Sequence, residues 1–344
     1  MIGRIISLLR QNRFLQVASI AEKPIVKDSS EKNTPTSSFF IEMDSLNKRH
    51  LTAKTAANQI KIGNNVTWEE AVVWLKSQPG QQQLVRDCYF DDPVLEAASR
   101  FAASEEWLST LKFLPAVQGG KALEIGAGRG PGSYALAQAG FAVTALEPDP
   151  SAMVGTGAIN EIARLTSLPI RTLGSFGENI PCPNERFDVV YARQVLHHAH
   201  QLEQLCAEAW RVLKAGGVFI AVREHVIDDQ KSLETFLNTH PLHALYGGEN
   251  AYPLKEYRRA IQQAGFKEIT TLGPADSVIN YFPISQAGHQ ASLQKILERF
   301  LGSFLAQKVF ENRLLRRHFS RIINSGINRF STYPGRLYSF ICKK

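Results

Sequence analysis

Between residues 121 and 272 short β-type runs alternate with amphipathic helical runs, and this alternation constrains the chain more than any other feature in it. KALEI (121–125), FAVTAL (141–146), IRTL (170–173), FDVVY (187–191) and VFIAV (218–222) read as strands, with a further one at 266–272. Helical patterns fill the gaps at 131–139, 151–165, 202–213 and 257–264. Strands joined through helices must cross over, which makes them parallel in one sheet with helices on both faces. Pro334 and Gly335 break the chain again, and 336–342 regains strand character. We read it as a last, antiparallel strand returning to the sheet. The expected fold is α/β, a doubly wound, mostly parallel sheet of seven strands.

The flanks have a different texture. Residues 1–20 pattern as a short basic amphipathic helix, with Ile2, Ile5, Ile6 and Leu9 opposite Arg4 and Arg10. The run 24–38, rich in Ser, Thr, Pro and Lys, reads as a linker. Residues 39–118 look helical: Thr67 before Trp68, Glu69 and Glu70 is a helix start, and Asp91, Asp92 and Pro93 open another helix running through Ala97, Phe101 and Trp107. This region would form a lid and acceptor-binding layer over a core at 119–272. Residues 285–328 are again helical, so 273–344 reads as a helical insertion followed by the final strand.

Net charge is +7, concentrated at the ends: from Lys295 to Lys344 eleven Lys or Arg face only Glu298 and Glu311. Such ends suit an anionic membrane surface or a solvated basic face. No run approaches the ~20 apolar residues that span a bilayer. Arg10 and Arg13 interrupt the only apolar start. The expected location is cytoplasmic, with peripheral membrane contact as an extension of that reading. Cys88, Cys182, Cys206 and Cys342 are widely spaced and read as reduced thiols.

The segment from Leu123 to Gly132 joins the first strand to a helix through Gly126, Gly128, Gly130 and Gly132. Glycine lets the backbone turn and approach a ligand, and the amides at the helix start can face its polar atoms. Glu147 ends the next strand at a ribose-binding distance, so a dinucleotide site is one reading. The spacing argues otherwise, because a GxGxxG loop counted from Gly126 requires glycine where Pro131 stands. What stands here is ExGxGxG, headed by Glu124.

Six ordered segments carry a specific resemblance: LEIGAGRG (123–130), ALEPD (145–149), ENIP (178–181), FDVVYARQVLHH (187–198), EAWRVLKAGGVFIAV (208–222) and YRRAIQQAGF (257–266). Across roughly 119–272 the chain resembles the class I S-adenosylmethionine-dependent methyltransferases, particularly the broad type 11 group. The resemblance implies a Rossmann-like sheet and S-adenosyl-L-methionine as cofactor. It implies that Gly126, Gly128 and Gly130 approach the methionine half, that Glu124 supports the loop and the ammonium, and that Glu147 accepts from both ribose hydroxyls. Pro148 would lie beside adenine. The family usually has an acid before the ENIP-like segment to meet the adenine amino group; Ser175, Phe176 and Gly177 stand here, so Ser175 would hydrogen-bond and Phe176 pack on the ring. Arg193, closing the fourth strand, is also expected beside the cofactor.

Methyl transfer needs a nucleophile held in line with the sulfonium and water kept away, and a hydroxyl acceptor also needs a base. In such a sheet the site lies beyond the carboxyl ends of the strands. Two stretches are expected there, 193–200 after the fourth strand and 223–225 after the fifth. Six of the nine histidines fall between 197 and 243. His197 and His225 are the first candidates for the base, with Glu224 as orienting carboxylate or alternative base. His225, His240, His243 and Glu224 were weighed as metal ligands, but their spacing is not a firm ligand pattern, and no metal is expected. Tyr246 to Glu249 reads as an acceptor-binding loop, and the 86–92 segment as part of a lid with Tyr89 reaching the acceptor.

No NPPY-like segment follows the fourth strand, which removes the resemblance to adenine- and glutamine-modifying enzymes. No RNA-binding fold is apparent, so nucleic acid is not the expected acceptor. The acceptor expected is a sugar of a glycan precursor or another small molecule, methylated on oxygen. Two alternatives stand beside it: a soluble polyketide- or quinone-like metabolite, and a non-catalytic cofactor-binding protein that acts through its helical extensions.

Overall fold

The computed structural model describes residues 66–344 except Gln118 and Pro241. The amphipathic segment expected at 1–20, the linker at 24–38 and the start of the helical region lie outside the described residues. Four short helices open the described part: α1 (Trp68–Ser77), α2 (Gln82–Asp87), α3 (Val94–Ala102) and α4 (Glu105–Thr110). Thr67 and Glu70 form a reciprocal cap on α1, each side chain meeting the other's backbone amide. The helix expected to run through Trp107 is broken at Ser104, whose side chain accepts from the Trp107 amide at 3.1 Å and starts α4 afresh.

The α/β core follows as β1 (Lys121–Ile125), α5 (Pro131–Gln138), β2 (Ala142–Leu146), α6 (Thr156–Thr166), β3 (Ile170–Leu173), β4 (Phe187–Arg193), α7 (Leu202–Val212) and β5 (Leu213–Ile227). Then come α8 (Gln230–Thr239), α9 (His243–Tyr246), the two-residue β6 (Tyr252–Pro253), α10 (Leu254–Gln263) and β7 (Glu268–Leu272). The strand order is β3-β2-β1-β4-β5-β8-β7, with β6 paired to the side of β5 and β8 being Arg336–Lys343. The strands from β3 to β5 run parallel, whereas β8 is antiparallel to both β5 and β7. The seven expected strands are therefore present, and the eighth is the short β6.

Alternation along the strands sorts the two layers. Leu123, Ile125, Val190, Ala192, Phe219 and Ala221 pack under α7 and α10, where Leu205, Cys206, Ala209, Tyr257 and Ile261 are buried. Ala122, Val189, Tyr191, Ile220 and Val222 face the other layer, with Leu136 of α5, Phe101 of α3 and Trp107 of α4. The chain leaves β1 toward β2 and β3, then returns to β4 on β1's other side, so the switch in direction lies between β1 and β4. Ligands bind at this point in open α/β sheets.

Two boundaries differ from the sequence reading. The helix expected from Ser151 begins at Thr156, because residues 149–155 close a turn: Asp149 Oδ1 accepts from the Ser151 amide at 2.7 Å, and the Asp149 carbonyl from Thr156 at 2.8 Å. β5 runs on to Ile227, so Arg223, Glu224 and His225 lie within the strand rather than after it. Its pairing with β8 shifts between Ala221 and Glu224, and Arg223 adopts φ 60°, as expected of a bulge that re-aims side chains.

Between β7 and β8 the chain inserts α11 (Gln286–Leu301), α12 (Ser303–Glu311) and α13 (Arg313–Phe330). They share a small core of Leu293, Leu297, Ala306, Val309 and Ile323. Asn312 caps α13, accepting from the amides of Leu314 and Leu315 at 3.0 and 3.1 Å. Among the described residues no helix is long and apolar enough to cross a membrane. The four cysteines are free thiols.

Candidate active site

At the first crevice, Gly126, Gly128 and Gly130 have φ of 63°, 52° and 90°, left-handed values that other residues adopt only under strain. A Cβ on Gly126 would come within 2.7 Å of Val195 Cγ2, so the loop and the segment after β4 touch through a missing side chain. Glu147, at the end of β2, has one carboxylate oxygen on the Gly128 amide (2.7 Å) and the other on the Asp149 amide (2.9 Å). Burial pushes its carboxyl up while these two amides pull it down. Glu124 lies beneath the loop, 3% exposed, and accepts from the Ser133 hydroxyl. Burial raises its carboxyl to about 8.

This cradle fits the cofactor that the sequence implied: backbone free of side chains at Gly128, a fixed carboxylate at Glu147 for paired hydroxyls, and helix-start amides at α5. Pro148 is exposed next to Glu147. Phe176 is 62% exposed, a large apolar face turned to solvent. The Ser175 hydroxyl donates to the Asn179 carbonyl at 2.7 Å, so it closes its own turn.

Arg193 pairs with an acid of α4. Its guanidinium meets Glu106 of α4 at 2.7 and 3.1 Å and lies over the Phe101 and Tyr89 rings. Arg223 adds a second guanidinium to the same carboxylate at 2.7 Å and stacks on Phe282 at 4.2 Å. The two cations hold the Glu106 carboxyl down at about 2 although it is buried. Two positive groups on one negative leave this layer with an excess positive charge. Glu106 was not foreseen, because acids in the first turn of a helix are expected for the helix dipole alone.

The second crevice is formed by the short 3₁₀ turn Leu196–His198 after β4, the bulged part of β5 and the 246–249 loop. Glu224 is fully buried. Its oxygens accept from the amides of Val195 and His197, both at 3.1 Å, and from His197 Nδ1 at 2.8 Å. Burial raises its carboxyl to about 7 against the pull of those amides. His197, 1% exposed, is held neutral by burial. The His225 ring lies 4.7 Å from that of His197, and its Nδ1 is on the Gly335 carbonyl at 2.8 Å; burial lowers it to about 3. The structure thus brings His197, Glu224 and His225 together. It adds His198 and Glu249, whose Nε2 and Oε2 atoms lie 3.8 Å apart.

The 86–92 segment and α1 touch both groups of residues. Arg129, in the glycine loop, reaches the carbonyls of Tyr89 (3.2 Å) and Asp91 (3.0 Å) and the carboxylate of Asp92 (2.5 Å). Asp91 pairs with Arg100 and Asp92 with Lys76. Glu69 of α1 accepts from the Met153 amide at 3.1 Å, and Trp68 packs on Tyr246 at 5.4 Å. Asp91 and Asp92 therefore clamp the 86–92 segment to the loop rather than cap α3, whose cap is Pro93 without a side-chain bond. A cavity of about 320 Å³ between α3, α4 and the end of α5 lies at the opposite edge of the sheet from the two crevices.

Residues 123–221 match the methyltransferase-domain family. A sterol 24-C-methyltransferase of Eremothecium gossypii is 32% identical over 147 residues, covering 40% of this chain and 37% of its own. A probable S-adenosylmethionine-dependent methyltransferase of Mycolicibacterium smegmatis is 32% identical, covering 44% and 53% respectively. A ubiquinone biosynthesis O-methyltransferase of Paramagnetospirillum magneticum is 34% identical, covering 28% and 38%. The chain thus spans 37% to 53% of the length of these curated relatives. Phosphoethanolamine N-methyltransferase 2 of Haemonchus contortus superposes with a TM-score of 0.49 at 14% identity, over 82% of this chain and 61% of that one. That superposition is too loose to carry a conclusion. The ordered motifs and the sheet order agree with that match: residues 123–221 are similar to the methyltransferase-domain family and lie in a doubly wound, mostly parallel sheet.

Proposed function

We propose that this protein transfers a methyl group from S-adenosylmethionine to an oxygen of a small-molecule or glycan-type acceptor held at the second crevice. The observation that carries the reading is the pairing of a fixed cofactor carboxylate, Glu147, with a buried histidine–carboxylate cluster across the next strand ends. The cofactor supplies an activated methyl group; the chain supplies position, exclusion of water and somewhere for the acceptor's proton to go. Gly126, Gly128 and Gly130 hold the methionine half, Glu147 the ribose, and Pro148 and Phe176 flank adenine, with Ser175 closing the turn beside it. Glu124 braces the loop from beneath.

Glu224 fixes the His197 ring through Nδ1 and leaves Nε2 toward the 246–249 loop, the arrangement by which a carboxylate prepares an imidazole to act on a proton. His225 backs that ring from the other side. Arg193 and Arg223, sharing Glu106, position the lid helices and favour an acceptor that carries negative charge. The domain reading that goes with this is a lid at 66–118, a core at 119–272 completed by β8, and an inserted helical unit between them.

The inserted unit supports a membrane-surface setting. Phe304, Leu305, Leu314 and Leu315 are 70%, 53%, 77% and 45% exposed, beside Arg313, Arg316 and Arg317. Exposed apolar side chains among arginines are what an anionic lipid surface would take up. The test is incubation with methyl-labelled cofactor and a panel of hydroxylated glycan precursors, phenols and quinols, with Glu147→Ala as control. Label in an oxygen-linked product that the variant does not make supports the reading. Binding of cofactor with no transfer to any member would favour the non-catalytic alternative.

A further inference from the structure

The second crevice contains an arrangement that its own hydrogen bonds do not explain. His197 Nδ1 is held by Glu224 at 2.8 Å and His198 Nδ1 by the Gly248 carbonyl at 2.9 Å. A carbonyl only accepts, so His198 carries its proton on Nδ1; the buried carboxylate of Glu224 asks the same of His197. In the neutral rings both Nε2 atoms are therefore bare lone pairs. They face the same oxygen, Glu249 Oε2, at 3.7 and 3.8 Å, and the three atoms lie within 4.8 Å of one another. The Glu249 side chain is 6% exposed and Oε2 accepts no hydrogen bond. Three acceptors turned on one point without a donor repel, and a buried unpaired carboxylate oxygen is costly. The two nitrogen–oxygen separations, 3.7 and 3.8 Å, are too long for hydrogen bonds. They are close to the ~3.4 Å expected between ligand atoms that each sit 2.0–2.1 Å from one tetrahedral ion.

We propose that His197 Nε2, His198 Nε2 and Glu249 Oε2 bind a divalent transition-metal ion of the zinc class, with a fourth position open where His198 reaches solvent. Two imidazoles and a carboxylate are the donor set of such ions, whereas magnesium and calcium take oxygen ligands. Three protein ligands with one open position mark a site that binds a further oxygen rather than a closed structural centre. Glu224 and the Gly248 carbonyl orient the ligand rings from behind, as outer partners of metal-bound histidines do. His240 Nε2, 3.7 Å from Glu249 Oε1, steadies the other carboxylate oxygen.

The consequence for the reaction rests on the methyltransferase reading; the metal site does not. The acceptor hydroxyl takes the open position. Its O–H bond breaks with the electron pair kept on oxygen, and the proton passes to water at the His198 side. That oxygen pair then forms the bond to the methyl carbon as the carbon–sulfur bond breaks, leaving S-adenosylhomocysteine. With the ion bound, His197 Nε2 is occupied and the base role given to it under the proposed function passes to water; without the ion that role stands.

The test is calorimetric titration of the full chain, stripped with chelator, with zinc chloride, alongside Glu249→Gln and His198→Asn, with melting of each protein with and without zinc. The expected result is one zinc per wild-type chain, at least tenfold weaker binding in both variants, and a zinc-induced rise in Tm confined to the wild type. Should Glu249→Gln fail to fold, the half-exposed His198→Asn carries the comparison. Zinc binding equal in wild type and variants, or no stoichiometric binding by folded wild type, overturns the proposal. Neither readout needs methyl transfer, so failure here leaves the methyltransferase reading untouched, while failure to bind S-adenosylhomocysteine would strike that reading alone.

Discussion

Glu147 and Glu249 are both buried carboxylates at the carboxyl edge of the sheet, and they are opposite in kind. Glu147 has each oxygen on a backbone amide, one from the glycine loop and one two residues along its own chain. Glu249 has an oxygen with no donor, facing two imidazoles contributed by a different segment. In the proposed reading the first is a binding group held rigid before its ligand arrives and the second is completed by an ion. The two clusters are built by different means, a local motif around Glu147 and a long-range assembly around Glu249. Substitutions should separate them.

The largest effect is expected at the glycine loop. A Cβ at Gly132 would fall 2.0 Å from Glu124 Oε1, so Gly132→Val should cost about 3 kcal/mol or more of stability and abolish cofactor binding. Thermal unfolding and a binding titration check it; a stable variant that binds normally would break the link between Glu124 and the loop. Next in size, Glu224→Gln removes the carboxylate that orients His197. It should lower kcat roughly 100-fold or more while changing cofactor affinity by less than about threefold. Equal losses in both would mean the two ends are not separable.

Arg129→Ala cuts the tie between lid and loop and should raise KM for cofactor about tenfold, as expected from losing charge-assisted hydrogen bonds. Steady-state kinetics would show it, with kcat little altered.

A smaller effect concerns pH. Burial holds the Glu124 carboxyl at about 8, above its ordinary 4.5. Its folded form keeps a proton that the unfolded chain gives up, so this contribution to stability is complete below about 4.5 and is lost as pH rises through about 8. Glu124→Gln, which cannot titrate, should lose less Tm than wild type between pH 5 and pH 8.5. Parallel curves would place the charge elsewhere. The smallest effect on catalysis is expected from Leu314→Glu with Phe304→Glu: turnover of a soluble acceptor unchanged, but flotation with anionic vesicles lost. Wild type that stays entirely in the soluble fraction would remove the membrane setting.

The contrast between the two carboxylates also explains how much could be read from the sequence. The glycine loop, Glu124 and Glu147 sit within 25 residues, with glycine spacing and strand ends that follow from backbone geometry alone. The strand–helix alternation and the antiparallel return of 336–342 were legible for the same reason, since each shows as local periodicity. His197 and Glu224 were named as neighbours because both fall at adjacent strand ends, although the 15-residue length of β5 was hidden by Arg223 and Glu224, charged residues that interrupt an apolar run. Glu106, Arg129 and the partners of Glu249 were not legible. The contacts of Glu106 and Arg129 join residues 37 to 117 positions apart, and nothing local distinguishes an acid that caps a helix from one that binds two buried arginines.

The central claim is that the loop at Gly126–Gly130 and Glu147 form an S-adenosylmethionine site. Calorimetric titration of the purified chain with S-adenosylhomocysteine, beside Glu147→Ala and Gly128→Val, addresses it most directly. Gly128 has φ 52°, where a β-branched residue is strained, and its side chain would enter the ligand's space. The account predicts one saturable site on the wild type, weakened at least roughly 100-fold in both variants, consistent with loss of a charged hydrogen-bonding group or of the loop conformation. A folded wild type that takes up no S-adenosylhomocysteine, or variants that bind it as tightly as wild type, would contradict it.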